Sequence, residues 1–137
     1  LLIGQYDDQV SKCAIIDCRY PYEYHGGHIK VSFCLLFVCS FDSRKSVLIF
    51  HCEFSSERGP RLLQHLRSRD REAHIMTYPQ LYYPEIYLLD GGYKAFYEAY
   101  PHLCEPQRYK PMDHADHAHE LRHFKNKSKS WSAGDKA

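Results

Sequence analysis

Short apolar runs bounded by polar or turn residues recur along this chain: CAIID (13–17), FCLLFVC (33–39), SVLIF (46–50) and EIYLLD (85–90). Runs of this length suit strands buried on both faces of a parallel sheet. Between them the apolar spacing lengthens to that of a helix. Leu62, Leu63 and Leu66 form a stripe just after Pro60, a favourable first-turn residue, and Arg67, Arg69 and Arg71 crowd its far end. A second helix is predicted after Gly91-Gly92, where Tyr93, Phe96, Tyr97 and Tyr100 fall at helical intervals, and a third from about His114 to Lys125. The final NKSKSWSAGDKA is polar and carries Gly and Ser, so it reads as a mobile tail. The alternation predicts an α/β fold with a central, mostly parallel sheet flanked by helices. One domain over residues 1–126 and a tail over 127–137 is the expected organisation.

Composition narrows the class without naming a chemistry. A chain of 137 residues and 16.2 kDa, 44% hydrophobic and 26% charged, suits a single domain with a sizeable core. The net charge of +1 exerts no general pull, so neither nucleic acid nor membrane is an expected partner, and a monomer is expected. VSFCLLFVCSF, from Val31 to Phe41, is far shorter than the roughly 20 residues that cross a bilayer. Asp7 and Asp8 follow LLIGQY almost at once and no initiator methionine is present, so the chain reads as an excerpt without a secretory leader. Of the six cysteines, Cys13, Cys34 and Cys39 lie in apolar segments, where a thiol packs as a small hydrophobe. A reducing, intracellular compartment is expected rather than a disulfide framework.

The stretch that carries chemistry is SVLIFHCEFSSERGPRLL, residues 46–63. Ligand sites in open α/β folds collect beyond the carboxyl ends of the strands, where HCEFSSERGPR falls. A loop of successive backbone N–H groups leading into a helix makes a concave anion site, with an effective charge of about +0.5 at the helix amino terminus. Arg58 adds a planar fork that can clasp two oxygens of a phosphate, which a lysine cannot reproduce. A cation and a helix amino terminus also favour the thiolate, the nucleophilic form of a cysteine. A lone cysteine at a strand end is ordinarily a packed thiol. Cys52, preceded by His51, separated from Arg58 by five residues and placed between a strand and a Gly-Pro helix start, is instead a candidate nucleophile that would form a cysteinyl-phosphate. The backbone of Glu53, Phe54, Ser55, Ser56, Glu57 and Arg58 is the candidate phosphate cradle, the serines being small enough to let it approach the anion. Glu53 or Glu57 could protonate the leaving oxygen or hold Arg58, with a solvated loop charge as the plain alternative for each; Glu57 is taken as the catalytic candidate. No cofactor or metal is called for.

Cys18 lies just past CAIID as Cys52 lies just past SVLIF. If those strands are parallel neighbours about 4.8 Å apart, their ends converge within the roughly 7 Å between Cα atoms that a disulfide requires. An inert packed thiol is the other reading of Cys18.

The motifs IIDCRYPYEYHGGHI, HCEFSSERGPR and YYPEIYLLDGGYKAFYEAYPHLCEPQRYKPM resemble the catalytic domain of the M-phase inducer phosphatases, over about Leu1 to Gly134. These are dual-specificity phosphatases that activate cyclin-dependent kinases. The resemblance implies a rhodanese-like fold, Cys52 as nucleophile, Arg58 as phosphate clasp, and phosphothreonine and phosphotyrosine of a cyclin-dependent kinase with bound cyclin as substrate. Action in nucleus and cytoplasm, promoting mitotic entry, is the matching expectation. Cys18 matches the back-door cysteine that captures an oxidised nucleophile as a reversible disulfide. Arg67, Arg71 and Tyr78 match a surface that grips the kinase away from the loop, where a solvated helix face is the plainer reading. Relative to the family, KVSFCLLFVCSFDSRKS is shorter and differently worded, and the amino-terminal part of the domain is missing, so a domain shortened at about 31–46 is expected.

Three alternatives compete. A rhodanese-type sulfurtransferase typically has a tighter loop than the one from Cys52 to Arg58. An arsenate reductase of the same fold has a similar loop and is disfavoured only by the flanking motifs. A non-productive fragment could dock on the kinase without turnover. HELRH, His119 to His123, matches the helical zinc-protease pattern, but only Asp135 remains downstream as an ordinary third ligand, so protease chemistry is not expected. Together with His114, Asp116 and His117 upstream, it could bind zinc or nickel adventitiously.

Overall fold

The computed structural model describes residues 12–30, 32–34 and 46–134. Its central sheet is parallel, in the order β3-β1-β4-β5, built from β1 (Lys12–Asp17), β3 (Ser32–Cys34), β4 (Ser46–His51) and β5 (Glu85–Leu88). A second, two-stranded antiparallel sheet joins β2 (His28–Ile29) to β6 (Cys104–Glu105). The helices are α1 (Pro21–His25), α2 (Arg58–Ala73), α3 (Gly92–Ala99) and α4 (Ala118–Gly134).

Side chains of a strand alternate between faces, and that alternation divides the core. Ala14, Ile16, Leu48 and Phe50 face one way, with Cys18 and Cys52, and are covered by Leu62, Leu63 and Leu66 of α2. Ile15 faces the other way with Ile29, Tyr93 and Cys104, against Phe96 and Tyr97 of α3. Each fully buried Leu, Ile or Phe contributes about 1.5–3 kcal/mol.

The α/β class and the strands at CAIID, SVLIF and EIYLLD follow the apolar pattern. The FCLLFVC strand begins at Ser32, and its stretch from Leu35 to Cys39 lies outside the described residues. The expected third helix is displaced: a 3-10 turn occupies Ala115–His117, and α4 continues to Gly134, so residues 127–134 are helical where a tail was expected. Helix α1 and the β2–β6 ladder have no signature of their own, because five residues and two residues are too short to show a period.

Gly92 has φ +66° and backs directly onto the loop after β4. A Cβ there would lie 2.5 Å from the Glu53 carbonyl oxygen and 2.6 Å from that of Cys52. Left-handed backbone and backbone overlap combine, so Gly92→Ala is expected to cost about 2–4 kcal/mol in urea unfolding. A stability within experimental error of the parent would refute this reading of the contact.

Candidate active site

β1 and β4 run parallel and in register, ending with Asp17 opposite His51. The next residues are Cys18 and Cys52, and the Cys18 amide donates to the His51 carbonyl at 2.8 Å. Both cysteines are buried in the same cluster. The convergence expected from parallel strand ends is therefore present. The Cys18 thiol, 3.7 Å from the Ile16 carbonyl, is pushed up to about 12, first by burial, then by the negative charge of Asp17 and by Cys52. Cys13, Cys18, Cys52 and Cys104 are all free thiols.

Residues 53–57 leave the strand as an irregular loop, and α2 begins at Arg58. Ser55 is left-handed, with φ 55°, which reverses the local peptide direction in the manner of an anion-binding nest. The first turn of α3 anchors the loop from behind: Tyr93 N donates to Cys52 O at 2.9 Å and Lys94 N to Glu53 O at 3.1 Å. Two of the loop's carbonyls are thereby committed. Among the described residues no protein acceptor is recorded for the amides of residues 53–58, which leaves them available to an anion.

Arg58 reaches back across this loop and is gripped by Glu23 of α1, with Nη1 donating to Oε2 at 2.5 Å and Nη2 to Oε1 at 3.0 Å. The Tyr20 ring lies 4.8 Å beneath the guanidinium. Burial opposes the charge on Arg58, but the hydrogen bonds and charge of Glu23 more than offset it and raise its pKa above the ordinary value. Glu23 is fully buried, and its other contact is the Tyr20 amide at 2.8 Å. Sequence reasoning passed over Glu23. The signal was present in PYE, a proline in the first turn followed by an acid, but spacing alone does not reveal a carboxylate that folds inward.

The two acids of the loop have different surroundings. Glu53 is buried, accepts from the Tyr109 hydroxyl and from Met112 N at 3.3 Å, and sits 4.0 Å from Arg58 Nη2. Glu57 is exposed and precedes α2. Phe54 and Ser56 also face outward, whereas Ser55 is buried and its hydroxyl has no partner. Cys52, Arg58 and Glu57 all line one cavity of about 510 Å³, to which α4 contributes Lys125 and Lys129.

Behind the cysteines lies a buried polar network. Arg19 forks onto Asp17 at 2.6–3.1 Å, donates to Gly27 O at 2.8 Å and stacks 4.0 Å over Tyr93. His51 is fully buried, with Nδ1 3.2 Å from Cys52 O and Nε2 3.8 Å from Asp17 Oδ2. Burial lowers the His51 pKa despite the pull of Asp17. Burial would raise Asp17, but His51 and Arg19 reverse it and hold the carboxyl below its usual range.

Of the residues expected to dock a partner, Arg71 is exposed and Tyr78 is 87% exposed beyond a 3-10 turn. Arg67 is committed inward, donating to Tyr83 O at 2.9 Å and Pro84 O at 3.1 Å. His119 and His123 of HELRH are exposed on α4, and among the described residues no group of three His, Cys, Asp or Glu side chains is arranged to hold a metal ion. No helix among them is long and apolar enough to cross a membrane.

A parallel sheet with this loop at the end of a central strand is the arrangement of rhodanese-like domains, and residues 2–99 match the model of that family. The chain belongs to it. Within the family its resemblance is to the M-phase inducer phosphatases. It is 50% identical to M-phase inducer phosphatase 2 of Rattus norvegicus over 151 aligned positions that cover the whole chain, and 44% identical to the Cdc25-like protein phosphatase twine of Drosophila melanogaster over 98% of it. The chain spans only 26% and 35% of the length of those two proteins. Among solved structures, an As-Sb reductase from Leishmania major superposes with a TM-score of 0.54 at 25% identity, covering 75% of this chain and 79% of that one.

The difference between the acids can be measured as stability. Glu23→Ala, which strands a half-buried guanidinium, is expected to cost about 3 kcal/mol in chemical denaturation. Glu57→Ala, at an exposed position, should stay within about 0.5 kcal/mol of the parent. Equal effects of the two substitutions would contradict the geometry.

Proposed function

We propose that this chain is a cysteine-dependent, dual-specificity protein phosphatase that removes phosphate from tyrosine and threonine side chains of a cyclin-dependent kinase with bound cyclin, promoting mitotic entry in nucleus and cytoplasm. The observation that carries the reading is the single cavity in which Cys52 and Arg58 meet across the six-residue step between β4 and α2. The whole-chain identity to M-phase inducer phosphatases supports the substrate class.

Cys52 attacks phosphorus as thiolate, forming the S–P bond as the O–P bond of the substrate breaks. The amides of residues 53–58 and the Arg58 fork hold the three non-bridging oxygens, whose charge rises in the transition state. Arg58 arrives pre-aligned, because Glu23 and the Tyr20 ring fix its plane before substrate binds. The leaving oxygen takes its proton from Glu57, at the open side of the cleft; both carboxylate oxygens of Glu53 are already engaged by Tyr109 and Met112. Water then attacks the cysteinyl-phosphate, releasing inorganic phosphate and restoring the thiolate. Arg71 and Tyr78 are accessible to the kinase, and Arg67 supports that surface by bracing the 83–84 segment.

The As-Sb reductase likeness favours one second reading, reduction of arsenate at the same loop. Cys18, adjacent to Cys52 across the strand ends, serves in the phosphatase reading as a protective partner. Peroxide oxidises the Cys52 thiolate to the sulfenic acid, and the Cys18 thiolate displaces hydroxide from that sulfur to form a disulfide.

Turnover of a small aryl phosphate should fall by at least about 10³-fold in Cys52→Ser. No activity from folded parent protein would point to a docking fragment, and thiol-dependent reduction of arsenate without phosphate release would point to the reductase. Because burial pushes Cys18 up to about 12, only a small fraction is thiolate near neutrality. Disulfide capture after a peroxide pulse should therefore accelerate about tenfold per pH unit between roughly pH 6.5 and 8.5. A flat profile, or irreversible oxidation of Cys52 with Cys18 left free, would overturn the protective role.

A further inference from the structure

Beside the Cys52 cleft lies a second cavity, of about 440 Å³. Tyr20 lines the cleft, and Tyr22, whose ring centroid is 6.0 Å from that of Tyr20, lines this one. Its walls carry Arg108, Lys110, His25, His114 and His117, and Glu120 is the one carboxylate among the lining residues. These basic groups come from separate elements: His25 closes α1, Arg108 and Lys110 lie on the segment after β6, and His114 precedes and His117 ends the 3-10 turn before α4.

The local hydrogen bonds absorb the acid without absorbing the cations. Lys110 Nζ lies 3.0 Å from His117 Nε2. An ammonium has only protons to give, so Nε2 accepts and the ring proton sits on Nδ1, which donates to Glu120 Oε1 at 2.7 Å. That chain uses the carboxylate and still leaves Lys110 two donors. His114 accepts from Asp116 N at 3.3 Å, and the Asp116 carboxylate, 3.8 Å from the His114 ring, is 81% exposed. Arg108 is exposed and forms no ion pair among the described residues. Like charges gathered around one concavity repel unless an anion joins them.

We propose that this cavity binds a phosphate-type dianion, with the Arg108 fork on two of its oxygens and the Lys110 ammonium on a third. The shared chemistry admits two sources, inorganic phosphate or a phosphorylated side chain of a protein. The site is independent of chemistry at Cys52, although it touches the same short helix whose Glu23 grips Arg58.

Histidine side-chain NMR of the full chain, titrated with inorganic phosphate, reads this cavity directly. The imidazole resonances of His25, His114 and His117 should shift together along one saturation curve, with no response to chloride at equal ionic strength. Arg108→Glu at an exposed side chain, and Lys110→Met, which keeps the stem packed on Gly26, should each weaken the midpoint about tenfold or more. A non-saturating drift, an equal response to chloride, or shifts that survive both substitutions would overturn the proposal. The backbone amides of residues 53–58 report separately on any anion beside Cys52, so a failed loop reading leaves this result interpretable. A phosphoserine peptide titrated in parallel separates the sources: tighter binding than inorganic phosphate assigns the site to a phosphorylated protein, and equal or weaker binding assigns it to the free anion.

Discussion

The pairing of β1 with β4 is the constraint on which the site depends. Six consecutive residues of each strand are in parallel register, from Lys12 opposite Ser46 to Asp17 opposite His51. Parallel strands deliver whatever follows them to the same end of the sheet. Cys18 and Cys52 consequently emerge side by side, and the loop that carries Cys52 opens beyond the carboxyl end of β4. A one-residue slip would move the alternating core residues to opposite faces and separate the two thiols.

Acidic groups near the loop differ by environment rather than by type. Glu23 is fully buried and holds Arg58, Glu53 is buried and ties the loop to Tyr109 and Met112, and Glu57 remains in contact with solvent. Two of them are structural counter-ions that keep a cation and a loop in place. The third lies exposed at the wall of the Cys52 cavity. Beneath them, Arg19 pairs with Asp17 at the strand ends and donates to Gly27, while Arg19 Nη1 and His51 Nε2 stay buried without a hydrogen-bond partner among the described residues.

The second, basic cavity adds a different kind of site to the same flank. Its basic side chains sit on α1, on the segment after β6 and beside the 3-10 turn before α4, elements that approach one another only because the core has been assembled. Two neighbouring basic cavities on a chain of net charge +1 show how local charge separation escapes a composition count.

Strand positions, the class of fold and the Cys52 to Arg58 loop were legible in the linear order of residues, because each rests on short-range chemistry: apolar runs, a Gly-Pro helix start and a fixed spacing. Adjacency of Cys18 and Cys52 was legible too, once the strands were taken as parallel neighbours. Helix α1 was not, being too short for a period, and the extent of α4 was misjudged because a polar, Ser-bearing stretch has weak local preference either way. The partner of Arg58, the inward commitment of Arg67 and the grouping of His25 with Arg108 and His117 required the folded chain. Those contacts join residues far apart in sequence through buried charge and packing, and no local pattern encodes which distant side chain will complete a hydrogen bond.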